Sequence, residues 1–219
     1  MARPPFDPTL YFVTDPRLCA ERGLLATVAA AITGGVTAVQ LRDPDAPARE
    51  LYTAACALGD QLASTGVPLI VNDRLDVALA ADADGVHLGQ SDLPVVDARR
   101  LAGGHLLIGL SVTTPSEAAV ANALPPGTVD YLGVGPVSAT PTKPDHASPI
   151  GVDGLGAACA ATALPCVAIG GISSANATAA ASAGAAGIAV VSAIAGSDDP
   201  AAAAADLRRR FQSGRAGTP

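Results

Sequence analysis

The sequence predicts a single (β/α)8 TIM barrel of the α/β class, and three observations predict it. About eight short apolar runs recur along the 219 residues. Ala-rich stretches of helical length separate them, and most of the informative polar residues stand at the carboxyl ends of the runs. Uninterrupted Val/Ile/Leu runs suit strands buried on both faces of a parallel sheet. Strand–helix alternation repeated eight times is the pattern of a barrel, in which the carboxyl ends of the strands converge on one site.

Taken in order, an irregular Pro-rich segment (1–8) leads into the first run, YFVTD (11–15). A helix over 23–32 stops at Gly34 and Gly35, a good helix terminus, before AVQLRD (38–43). A second helix covers 46–64, and Gly66 and Pro68 punctuate the turn into PLIVND (68–73). Asp73 opens a short helix over 75–81, followed by GVHLGQSD (85–92) and a helix that starts at Pro94. The fifth run, LIGLSVTT (107–114), precedes a helix that Pro115, Ser116 and Glu117 begin. After YLGVGPV (131–137) comes the longest loop, 138–151, with three prolines and little apolar content; it is expected to be mobile without ligand, since long loops in compact domains are usually functional. A helix capped by Asp153, CVAIGG (166–171), a helix after Ser174, GIAVVSA (187–193) and a helix from Pro200 to about Gln212 complete the chain, with a frayed tail over 213–219. No domain boundary interrupts this pattern, so residues 1–219 read as one domain.

Composition excludes several classes. The chain is 49% hydrophobic and 15% charged, with mean hydropathy +0.37, which is ample for a core and unlike a disordered chain. No apolar run reaches the roughly 18–20 residues of a membrane span, and none before the first strand has signal-peptide length. The net charge of −7 excludes a basic nucleic-acid face. Cys19, Cys56, Cys159 and Cys166 form no CxxC and no cluster with histidine, which predicts reduced thiols and a cytoplasmic protein.

Four constellations carry chemistry. The glycines of AIGGIS (168–173), next to AVVSAI (189–194), let backbone N–H groups approach an anion after strands 7 and 8, where barrel enzymes often bind phosphate. Asp73 and Asp92 end neighbouring strands without His or Cys ligands, and two carboxylates suit Mg²⁺ with water and phosphate oxygens. The alternative for a lone Asp after a strand is a helix cap. Thr140, Thr142 and Lys143 lie within four residues on the long loop and form a clamp suited to a polyphosphate. Gln40 and Arg42 point the same way along their strand, so Gln40 can read an amino-heterocycle while Arg42 forks onto a phosphate. Asn72, Gln90 and Ser111 are due at the same rim. His87 reads as a satisfied structural residue inside strand 4, and His105 and His146 as exposed. No Ser/His/Asp or Cys/His nucleophile pattern emerges.

The segments LYFVTD, GGVTAVQLRD, LIVNDRLDVALAADADGVHLGQSDL, GLSVTT, DYLGVGPVSATPTKPD, PCVAIGGIS and AGIAVVSAI resemble the thiamine-phosphate synthases, in family order over 10 to about 194. The resemblance implies a transferase that joins 4-amino-2-methyl-5-pyrimidinylmethyl diphosphate to hydroxyethylthiazole phosphate. The products would be thiamine monophosphate and pyrophosphate, with Mg²⁺ required and the diphosphate leaving first. By motif, Asp73 and Asp92 would hold Mg²⁺, and Arg42, Asn72, Ser111 and Lys143 would grip the diphosphate. Arg42, Ser111 and Lys143 would carry catalysis. Gln40 would contact the aminopyrimidine, and Thr140 and Thr142 would sit near the thiazole and diphosphate. Gly171, Val191 and Ser192 would bind the thiazole phosphate. A dissociative step needs its leaving-group charge neutralised rather than a strong nucleophile.

Two positions depart from the family pattern. Pro44 stands where QLREK has its lysine, and Ser138 stands where an aromatic residue is common. Two other readings remain open. A thiazole tautomerase of the same superfamily would need no Mg²⁺, and a non-catalytic phosphate-ligand-binding barrel would bind product without turnover. A homo-oligomer is compatible with all three.

Overall fold

The computed structural model describes residues 3–140 and 148–216. Eight parallel strands close in sequence order, with β8 pairing back onto β1. They are β1 (Leu10–Val13), β2 (Ala38–Leu41), β3 (Leu69–Asn72), β4 (Gly85–Leu88), β5 (Leu107–Val112), β6 (Tyr131–Val134), β7 (Cys166–Ala168) and β8 (Gly187–Val190). The helices around them are α1 (Pro16–Cys19), α2 (Leu24–Thr33), α3 (Ala48–Leu62), α4 (Leu75–Ala80), α5 (Val95–Ala102), α6 (Pro115–Asn122), α7 (Gly151–Ala160), α8 (Ala177–Ser182), α9 (Ser192–Ala195) and α10 (Pro200–Ala216).

Side chains alternate across each strand, so the apolar runs build two cores. Outward residues such as Phe12, Val39, Val71, Val86 and Ile108 pack under the helices. Inward residues Tyr11, Val13, Ala38, Ile70, Tyr131, Val167 and Ala189 fill the barrel. Phe6 packs its ring 4.5 Å from that of Tyr131, so the irregular segment before β1 seals the amino-terminal mouth. Arg3 reinforces the seal by pairing with Asp130.

One unexpected helix appears, two expectations (the Asp153 cap and the frayed tail) are corrected, and one alternative (an Asp73 cap) does not hold. A short helix, α1, follows β1 because the Asp15 carboxylate accepts from the N–H groups of Arg17 and Leu18 at 3.0 and 3.1 Å. Asp153 does not cap α7: the helix already starts at Gly151, with Ile150 at the capping position and Asp153 inside the first turn. Asp73 does not cap α4 either, since Arg74 holds that position and Asp73 sits in the left-handed region at φ 60°. The tail is helical to Ala216 rather than frayed from Ser213, because Phe211 and Gly214 are buried. Gly214 lies so close to α8 that a Cβ there would stand 2.5 Å from the Thr178 carbonyl oxygen. Residues 217–219 lie outside the described residues.

Candidate active site

The carboxyl ends of the strands surround a cavity of about 250 Å³. The strands contribute through their inward residues and the positions just past their ends: Tyr11 and Val13 from β1, Gln40 of β2 and Arg42 just after it, Asn72 from β3, His87 from β4, and Ser111 of β5 and Thr113 just after it. Tyr131 and Gly133 of β6 contribute as well, and Gly170, Gly171, Val191 and Ser192 close the far side after β7 and β8. Of the residues expected from sequence, Gln40, Arg42, Asn72, Ser111, Thr140, Gly171, Val191 and Ser192 all line this one cavity. Thr142 and Lys143 lie outside the described residues, as does His146.

Arg42 is held by its backbone. Its N–H donates to Thr14 Oγ1 at 3.0 Å, and among the described residues its guanidinium enters no ion pair. A cation so placed in an acidic protein is available to an anionic ligand. On the opposite wall Gly170 and Gly171 have positive φ, 87° and 65°. A Cβ on Gly171 would stand 2.7 Å from Ala139 O and Ser138 Cβ, so only glycine lets the β7 loop lie against the β6 loop. Asn176 joins the two loops, donating from Nδ2 to Gly171 O at 2.9 Å and to Ser138 Oγ at 3.3 Å.

Asp73 and Asp92 stand outside the cavity lining, at adjacent strand ends. The Asp73 N–H donates to His87 O at 2.8 Å, which ties it to the β4 end. Asp92 folds back to the same end, where its Oδ2 accepts from Gly89 N–H at 2.7 Å. Asn72, in the cavity wall, donates to Asp73 Oδ2 at 2.7 Å. Among the described residues no three His, Cys, Asp or Glu gather as a metal cage. Two carboxylates without a cage fit Mg²⁺, which keeps several waters and takes phosphate oxygens from its substrate.

Sequence reasoning missed the role of the cavity floor. Tyr11, Tyr131 and His87 are buried. His87 Nδ1 lies 3.0 Å from the Tyr131 hydroxyl and its Nε2 2.9 Å from Ser111 Oγ. His87 is satisfied, as expected, yet it also faces the site. Two of the chain's three tyrosines occupying inward strand positions was the available signal.

The fold and cavity define a (β/α)8-barrel enzyme that acts on small-molecule substrates. The family model for thiamine monophosphate synthase matches residues 10–194, and the chain belongs to that family. A thiamine-phosphate synthase from Xanthobacter autotrophicus is 54% identical over 211 residues, covering 96% of this chain and 99% of that protein. One from Chloroflexus aurantiacus is 54% identical over 199 residues, covering 91% and 90%. The solved thiamine phosphate pyrophosphorylase from Pyrococcus furiosus superposes with TM-score 0.85 at 38% identity, covering 95% of this chain and 97% of that one. The activity is accordingly that of a transferase forming thiamine phosphate.

Among the described residues no helix is long and apolar enough to cross a membrane, and the four cysteines are free.

Proposed function

We propose that the reaction is a dissociative substitution within this cavity, in the cytoplasm. The C–O bond between the pyrimidinylmethyl carbon and the diphosphate breaks first, and its electron pair leaves with the oxygen. The thiazole nitrogen then donates its lone pair to the pyrimidinylmethyl cation, which gives thiamine monophosphate. Asp73 and Asp92 would hold Mg²⁺, which when bound would supply neutralising charge for the diphosphate. Arg42, Asn72 and Ser111 grip the same group from the cavity wall, and Lys143 joins them on the strength of its sequence motif. Gln40 contacts the aminopyrimidine, and Thr140 and Thr142 lie near the thiazole and diphosphate. Gly171, Val191 and Ser192 bind the thiazole phosphate on the opposite side.

One observation carries this reading: Arg42 with the donors Asn72 and Ser111, and the loop glycines Gly170 and Gly171 beside Val191 and Ser192, line one and the same cavity. That is the layout for two phosphorylated substrates meeting between two anion sites. The test mixes both substrates with Mg²⁺ and follows thiamine monophosphate and pyrophosphate. Formation of both, with a large kcat loss in Lys143→Ala and Arg42→Ala, supports the reading. Product formation that is indifferent to Mg²⁺ and to both substitutions overturns it.

A further inference from the structure

Five polar groups cross the cavity floor in one hydrogen-bonded chain. Gln40 Nε2 donates to the Tyr11 hydroxyl at 2.8 Å, and the Tyr11 and Tyr131 hydroxyls lie 3.0 Å apart. Tyr131 meets His87 Nδ1 at 3.0 Å, and His87 Nε2 meets Ser111 Oγ at 2.9 Å. The reaction described above uses the two ends and none of the three middle groups.

A hydroxyl carries one proton, a neutral imidazole carries one, and an amide nitrogen only donates. A hydroxyl can accept twice, but among the described residues the Tyr11 hydroxyl meets only Gln40 and Tyr131, and the Tyr131 hydroxyl only Tyr11 and His87. With Gln40 donating, each buried hydroxyl proton has one acceptor left, the next group along. Gln40 at one end therefore directs the rest. Tyr11 accepts from Gln40 and gives its own proton to Tyr131. Tyr131 gives its proton to His87 Nδ1, so His87 carries its proton on Nε2 and donates it to Ser111. The Ser111 proton then points away from His87, into the cavity. Burial pushes both tyrosine hydroxyls well above their ordinary pKa, so they stay protonated members of the chain. The reverse sense would make His87 a base for Ser111, the arrangement of an activated nucleophile. Gln40 keeps its second N–H and its Oε1 for the pyrimidine, so directing the chain and reading the ring do not compete.

The geometry points to a directed proton relay in which Gln40, acting through the positioning residues Tyr11, Tyr131 and His87, holds Ser111 as a hydrogen-bond donor to the departing diphosphate. The direction of the relay stands on the floor geometry alone. Its diphosphate end rests on the proposed function.

The test is nitrogen NMR of the substrate-free protein labelled with ¹⁵N-histidine, with the His87 signals assigned by their loss in His87→Gln. The relay requires neutral His87 protonated on Nε2. Gln40→Glu, in alkaline buffer that keeps the new carboxylate ionised, replaces the donor with an acceptor. It should move the proton to Nδ1, and in a Tyr131→Phe background it should move nothing. An Nδ1-protonated or doubly protonated His87 in the wild type, or an unmoved signal in folded Gln40→Glu, overturns the relay. In turnover, His87→Leu should lower kcat roughly 10–150-fold, the worth of one hydrogen bond to a charged group. His87→Gln, whose amide can still donate to Ser111, should recover part of that loss, and the KM for thiazole phosphate should not change. The assigned tautomer with unaltered kcat in His87→Leu overturns the diphosphate end alone. The proposed function is tested separately, by the Mg²⁺ dependence of the wild type and by Arg42→Ala and Lys143→Ala, so its failure is distinguishable from that of the relay.

Discussion

Gly109 stands directly between His87 and Tyr131. It is the cross-strand partner of both, on β4 and β6. A Cβ at this position would lie 2.2 Å from Tyr131 Cζ and 2.4 Å from His87 Nδ1. The missing side chain is the room in which the two rings reach each other. Gly133 adds to it, since a Cβ there would stand 2.9 Å from His87 Cε1.

Gly109→Ala is therefore expected to destabilise the protein. Alanine in a strand normally gains about 0.5–1 kcal/mol over glycine through backbone entropy. Overpacking a filled core costs about 1–3 kcal/mol, and here the obstacles are two rings held by hydrogen bonds. The clash should win, lowering Tm by several degrees at roughly 2–4 °C per kcal/mol and separating His87 from Tyr131. Thermal unfolding measures the first effect and histidine NMR the second. An unchanged or raised Tm would mean that the rings can move aside cheaply.

The tyrosines give a pH prediction with a definite sign. Burial raises the pKa of Tyr11 and of Tyr131 above the ordinary value of about 10. The unfolded chain therefore loses these protons first as pH rises. Stability from this source is complete below about pH 10 and falls above it, where the folded state binds more protons than the unfolded one. Tyr52 is exposed. In an alkaline titration followed by tyrosinate absorbance, one tyrosine of the three should ionise reversibly. The other two should appear only with unfolding. Three tyrosines ionising reversibly in the folded protein would contradict the sealed floor.

The barrel and the rim of the site were legible in the sequence, and the floor was not. Strand ends such as Gln40–Arg42 and Asn72–Asp73 show themselves because polar residues interrupt an apolar run where the chain leaves the sheet. The link from Tyr11 to Tyr131 depends instead on barrel closure and on register between strands 120 residues apart, which no local pattern encodes. Asp153 misled because an acidic residue in a first turn and one at the cap look alike in sequence. The tail misled because Ser213 and Gly214 are poor helix formers alone. Close packing of Gly214 on α8 overrides that preference.

Pro44 offers a gain-of-function test. It is exposed two residues beyond Arg42, where the family pattern has a lysine. Pro44→Lys should place a second cation beside the diphosphate end of the cavity. A charge-assisted contact is worth about 1.5–3 kcal/mol when formed and less in water. The expected result is a KM for the pyrimidine diphosphate lowered several-fold, most visibly at low salt, with the thiazole phosphate KM unchanged. Initial-rate kinetics in both substrates checks this. Equal changes in both constants would point to a disturbed loop instead of a new contact.

The metal assignment is best tested by removing charge without removing hydrogen bonds. Asp92→Ala would also strip the acceptor from Gly89 N–H, and Asp73→Ala would strip the acceptor from Asn72. Asparagine keeps an acceptor oxygen in both places and deletes only the negative charge. If these carboxylates hold Mg²⁺, Asp73→Asn and Asp92→Asn should keep the wild-type Tm. Each should raise the Mg²⁺ concentration for half-maximal rate by roughly tenfold or more, which corresponds to about 1.4 kcal/mol of lost binding. Excess chelator should abolish turnover of the wild type, and Mg²⁺ should restore it. Mn²⁺ binding in the presence of pyrophosphate, read by electron paramagnetic resonance, gives a measure independent of catalysis and should weaken in parallel. A wild-type Mg²⁺ requirement in both asparagine variants would show that the ion is held elsewhere.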